Sequence, residues 1–143
     1  MNLSTIYNTN KLLIDTNKTL IDKMLLNVFI SLLSGFGTIS LVVLLAEHTY
    51  YLTAVLIALL LFLHFLQPQS IFLYIFCGLG GAFTESAAIH FNANTWRYMN
   101  PTKPFNFPIW LSIVWALAAT LIVTLNKLIE QFTELNANKN KIE

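Results

Sequence analysis

Three ionisable side chains of different chemistry fall within thirteen residues: Glu85, His90 and Arg97. A carboxylate carries protons or anchors cations. An imidazole exchanges a proton near neutral pH. A guanidinium grips phosphate or carboxylate through paired N–H groups. Aromatic and proline residues surround them: Trp96, Tyr98, Pro101, Pro104, Pro108, Trp110 and Trp115. The flanking chain is mostly Leu, Ile, Ala and Phe. An acidic side chain costs about 2.5–3.5 kcal/mol at the centre of a membrane helix and less toward its end, so Glu85 needs a compensating role.

On a helix, Glu85 shares its face with Gly81, Ala82, Ala88, Ile89 and Asn92. These mostly small neighbours leave room for another helix or a small cavity. Glu85 then reads as a proton carrier, ligand anchor or acid/base group, or as a structural carboxylate paired with Arg97 or with a neighbouring helix. His90 lies five residues on, about 140° round a helix. The two converge only if the helix ends between them; otherwise His90 is an interfacial histidine. Trp96, Tyr98 and Trp110 suit an interfacial aromatic belt, or a loop folded back over a pocket with Arg97 reaching Glu85 or an anionic headgroup. The candidate catalytic residues are Glu85 and His90. The candidate ligand-binding residues are Glu85, Trp96, Arg97, Tyr98 and Trp110. Trp115 reads as packing.

Other chemistries find no motif. His48, His64 and His90 are too scattered for a metal site by spacing, and the lone Cys77 makes no CxxC pair or internal disulfide. Gly78-Leu79-Gly80-Gly81 is no phosphate loop, because neither a preceding strand nor a following Lys-Ser/Thr is present. No cofactor is expected. His64 reads as a structural histidine, and Glu47-His48 as a possible extension of the Glu85 cluster.

Membrane spans are the elements that position these residues. Of 143 residues, 56% are hydrophobic and 10% charged, against about 25% charged in a soluble domain. The net charge of +1 gives no basic face for nucleic acid. Four apolar stretches, 24–46, 51–66, 70–91 and 108–125, are each read as a transmembrane helix. The first 23 residues read as a short amphipathic helix at the interface, and 126–143 as a polar tail. The expected fold is therefore an all-α integral membrane bundle of four helices. Short links at 47–50 and 67–69 make the first three spans antiparallel neighbours, whereas the 92–107 connection is long enough for a functional loop. Pro108 suits the first turn of the last helix. The small-residue pairs Cys77/Gly81 and Gly78/Ala82, with Ser34, Gly35 and Gly37 in the first span, permit close helix approach.

Lys11, Lys18 and Lys23 precede the spans, and Lys127, Lys139 and Lys141 follow them. Arg97 and Lys103 lie in the long loop. Six positive charges against two put both termini in the cytoplasm and the Glu85 loop outside, as in a bacterial inner membrane.

The stretch Glu85, Ile89, Trp96-x-Tyr98-x-x-Pro101, Pro108-x-Trp110-Leu111 and Trp115 resembles a group of small uncharacterised multi-spanning membrane proteins. Their pattern is a Glu, an aromatic pair before a Pro, and a Pro-x-Trp-Leu segment opening the last helix. The resemblance covers about a quarter of the chain and implies that these residues belong to one unit. A fainter similarity to carotenoid-hydratase-like membrane proteins rests on a membrane Glu, a Tyr-bearing loop and a Pro-led helix; Asn92-Ala93-Asn94 stands where that pattern has a Gly-aromatic element.

The leading expectation is a membrane protein that binds a lipid-like or other small ligand at a Glu85-centred polar site. The alternatives are an enzyme acting on an isoprenoid or lipid, with Glu85 as acid/base and His90 assisting, and an accessory subunit of a membrane complex. Expected partners are membrane lipids, a lipid-like small molecule, and a homo- or hetero-oligomer formed through the small-residue helix faces.

Overall fold

The computed structural model describes residues 3–91, 97, 98, 100–103 and 106–139. Its helices are α1 (Leu3–Leu32), a π-helical turn (Leu33–Gly37), α2 (Thr38–Leu45), α3 (Thr49–Leu66), α4 (Ile71–Phe91) and α5 (Trp110–Lys139). Among the described residues there is no β-strand, and Thr102 and Phe107 form an isolated antiparallel bridge. Four helices are long and apolar enough to cross a membrane: Ile14–Leu45, Thr49–Leu66, Ile71–Phe91 and Trp110–Lys139. The chain is a multi-pass, all-helical membrane protein. Hydrocarbon offers no partner to backbone N–H and C=O groups, so each spanning segment satisfies its own as a helix. The 18 residues of α3 reach about 27 Å at 1.5 Å per residue.

Two expected boundaries fall inside helices. The segment expected as a short amphipathic helix, 1–23, is continuous with the first span: α1 runs from Leu3 to Leu32. The polar tail expected from 126 is likewise helical to Lys139. Neither helix contains Gly or Pro, the residues that interrupt helices most strongly. Charge at Asp15, Lys18, Asp22 and Lys23 changes the solvent around α1 without ending it.

The chain divides into two compact units, Met1–Ser31 with Val123–Glu143, and Leu32–Ile122. In the first, Asn27 Nδ2 donates to Gln131 Oε1 at 2.9 Å and Asn138 Nδ2 donates to Asn17 Oδ1 at 3.2 Å. Numbering rises on one helix as it falls on the other, so the two segments pair antiparallel along a polar seam. Ile14, Ile21, Leu25, Ile129 and Phe132 point away from it and are exposed.

In the second unit, α3 buries Leu52, Leu56 and Leu63, and α4 buries Gly78, Ala82 and Ile89. Each set follows one face of a 3.6-residue helix. Beside the link between these helices, the backbone N–H of Gln69 donates to His64 Nδ1 at 3.4 Å, and the Tyr74 hydroxyl lies 3.3 Å from the same nitrogen. His64 thus fastens the turn. Gly78 and Gly81 of α4 are contact points with α5. A methyl at Gly78 would lie 2.7 Å from the Ser112 carbonyl oxygen, and one at Gly81 would fall inside the Trp115 indole. In the first span, a methyl at Gly35 would meet Leu121 at 3.4 Å. Gly80 faces open space.

Candidate functional site

Glu85 stands in the last two turns of α4, half-buried. Gly81 lies one turn earlier on the same face. Because it has no Cβ, the Trp115 ring of α5 lies directly against the α4 backbone there. The indole N–H of Trp115 then donates to Glu85 Oε1 at 2.9 Å. The Tyr98 hydroxyl donates to the other oxygen, Oε2. Tyr98 in turn packs edge-to-face on Trp110, with centroids 5.9 Å apart and planes at 88°. One carboxylate therefore joins α4, the long connection and α5. Two N–H or O–H donors offset the desolvation that burial of a carboxylate would otherwise impose.

The connection has local reasons to return to the bundle. Thr102 N–H donates to Phe107 C=O at 2.9 Å, and Asn106 N–H donates to Thr102 C=O at 3.1 Å. Asn106 closes this turn with φ of 58°, a left-handed conformation that Asn tolerates better than most residues. Pro108 is fully buried, and its carbonyl accepts from Leu111 N–H at 3.0 Å as α5 begins. It sits just ahead of the helix rather than within its first turn.

The expected site residues separate into groups. Glu85, Tyr98 and Trp110 come together. Trp115, expected to serve only as packing, is a direct hydrogen-bond partner of Glu85; this corrects the sequence reading. Arg97 is exposed and is not a partner of Glu85, so the carboxylate is held by neutral donors. His90 also stays away from Glu85, because α4 continues unbroken past both residues to Phe91. Its ring lies edge-on to Phe91, with centroids 5.3 Å apart. Trp96 lies outside the described residues.

Tyr98, the hydroxyl partner of Glu85, also lines a cleft of about 340 Å³ with His90, Arg97, Pro101 and Asn106. A second cleft, about 190 Å³, shares Arg97 and Tyr98 with it and adds Ala46, Asn100, Pro108 and Trp110. A third, about 780 Å³, shares Asn100 with the second and is lined by Glu47, His48, Tyr50, Tyr51 and Thr102. The α2–α3 link and the long connection therefore meet at the same end of this unit. Among the described residues, no three His, Cys, Asp or Glu side chains converge as a metal site would require.

Sequence reasoning missed Trp115 and Gly81 as site residues. Their signal is a pairing: a glycine four residues before a membrane carboxylate opens a slot, and a long apolar side chain with one N–H can fill it. The partner's position, thirty residues away, requires the fold. Compared with protein-family models, curated protein sequences and solved structures, the chain has no match.

Proposed function

We propose that this protein binds a lipid-like or other small amphiphilic ligand in the polar clefts beside Glu85, and that Glu85 acts there by holding Tyr98 and Trp115 in place. The observation that carries the reading is the cleft of His90, Arg97 and Tyr98, an exposed cation beside hydrogen-bonding aromatics at the end of apolar helices. Such a place offers polar contacts to a headgroup while the adjoining helices accept hydrocarbon. In this reading both termini face the cytoplasm and the clefts face outward, which the excess of Lys near the termini supports, in a membrane such as the bacterial inner membrane.

A second reading keeps Glu85 as the acid/base of an enzyme acting on an isoprenoid or lipid. The Glu85–Tyr98 hydrogen bond favours it, since such a pair can pass a proton. It ranks second because both carboxylate oxygens already have donors. An accessory subunit ranks third: Gly78 and Gly81 are already taken up against α5, leaving Gly80 as the open glycine of α4.

Native mass spectrometry of protein extracted in a mild non-ionic detergent tests the reading. The wild type is expected to keep a lipid-sized adduct that Tyr98→Ala loses. A bare wild-type mass across detergents and lipid supplements would overturn binding.

A further inference from the structure

The three polar clefts are continued by a fourth feature of opposite character. Ile109, on the rim of the Glu47–His48 cleft, also lines an apolar groove of about 630 Å³ with Ile57, Leu79, Phe83, Phe107 and Ile113. Gly80 helps to open this groove, since nothing lies within 4 Å of where its side chain would be. A polar cleft that runs into an apolar groove takes a molecule with a head and a tail.

The polar part is itself divided. One cleft at Asn100 holds the exposed Arg97. With it is Trp110, only 7% exposed, whose indole N–H is buried and has no hydrogen-bond partner among the described residues. A buried donor without an acceptor is costly, and Trp110 lines the same cleft as Arg97. Arg97 offers charge to a phosphate oxygen, and Trp110 holds an unpaired N–H at the cleft wall that a phosphate oxygen can satisfy. The adjoining cleft, which shares Asn100, holds Glu47 with the exposed Tyr50 and Tyr51. A carboxylate beside aromatic faces suits an ammonium group, which is drawn to both.

We infer that the clefts accept a zwitterionic phospholipid, with its phosphate at Arg97 and Trp110, its ammonium at Glu47, Tyr50 and Tyr51, and one acyl chain in the Ile57–Phe83–Ile113 groove. This rests on the amphiphile-binding reading above and adds the headgroup class. Charge placement selects the class: a cation and an anion line two clefts that share Asn100, so a phosphate with a tethered ammonium is matched at both ends. An anionic glycerol headgroup can give Glu47 hydroxyl donors but no cation, and its uncompensated negative charge opposes approach to the carboxylate.

The test is native mass spectrometry of the delipidated full chain titrated with phosphatidylethanolamine, phosphatidylcholine and phosphatidylglycerol of identical chains. Water-soluble glycerophosphocholine is a separate arm that supplies the headgroup alone. The zwitterionic lipids are expected to bind about tenfold tighter than phosphatidylglycerol, one factor of ten in Kd for a single well-placed charge contact. Glu47→Gln should bring that preference to within about threefold, and Arg97→Gln should weaken all three lipids by about tenfold. Both residues are exposed, so the variants are expected to fold normally. Glycerophosphocholine should bind far more weakly than the lipids; equal binding would remove the tail from the proposal and overturn it. Phosphatidylglycerol binding as tightly as the zwitterionic lipids, or a preference unchanged in Glu47→Gln, overturns the headgroup assignment while leaving amphiphile binding intact. Failure of every lipid to bind the wild type overturns both.

Discussion

At the scale of single residues, Glu85 is explained by its donors. A membrane carboxylate is tolerated when its oxygens are satisfied, and here an indole N–H and a phenol O–H satisfy them. Neither donor is charged, so the arrangement depends on aim rather than on net attraction. Glu85→Gln keeps the shape but presents an NH₂ group to one of the two donors, replacing a hydrogen bond by an opposed pair. The expected loss is about 1–3 kcal/mol, the usual cost of an unsatisfied buried partner, measured by unfolding in mixed micelles. Tyr98→Phe should cost less, and the double variant should lose clearly less than the sum, since both changes break one contact. Strict additivity would show that the Tyr98–Glu85 hydrogen bond contributes nothing to stability.

At the scale of elements, glycine placement decides how α4 meets α5. Gly81→Ala puts a methyl into the Trp115 indole, and Gly78→Ala puts one 2.7 Å from the Ser112 carbonyl. Gly80→Ala meets nothing. Gly81→Ala is therefore expected to destabilise the protein by about 1–3 kcal/mol, as overpacking does, and to shift tryptophan fluorescence as Trp115 leaves Glu85. Gly80→Ala should be neutral or mildly stabilising. Equal effects at the two positions would refute the packing described.

The helices themselves were readable in the sequence. Hydrocarbon length and hydropathy dictate spans, and the stretches at 51–66 and 70–91 fall within two residues of α3 and α4. The extents of α1 and α5 were not readable from polarity, because polarity reports the solvent and neither helix contains the Gly or Pro that interrupts a helix most strongly. The π-helical turn at Leu33–Gly37 also left no sequence signal beyond two glycines. In the site, Glu85, Tyr98 and Trp110 could be found locally. Trp115 could not, because a hydrogen bond across thirty residues depends on which way α5 is turned.

At the scale of the whole molecule, four crossings return the chain to the side on which it began. Reporter fusions at residue 1 and residue 143 should therefore give the same compartment signal, and a reporter inserted at Lys103 the opposite one. A C-terminal signal matching the Lys103 insertion would remove one span and with it the assignment of the clefts to the outer face. The crossings are unequal in length. α3 reaches about 27 Å, a little less than the roughly 30 Å of a typical hydrocarbon layer, whereas the first crossing has 32 residues to draw on. A bilayer that thickens must therefore dimple around α3 or draw its ends inward. Glu47 and His48 sit at one of those ends, so the clefts they line lie where the protein would first register the thickness of the membrane around it.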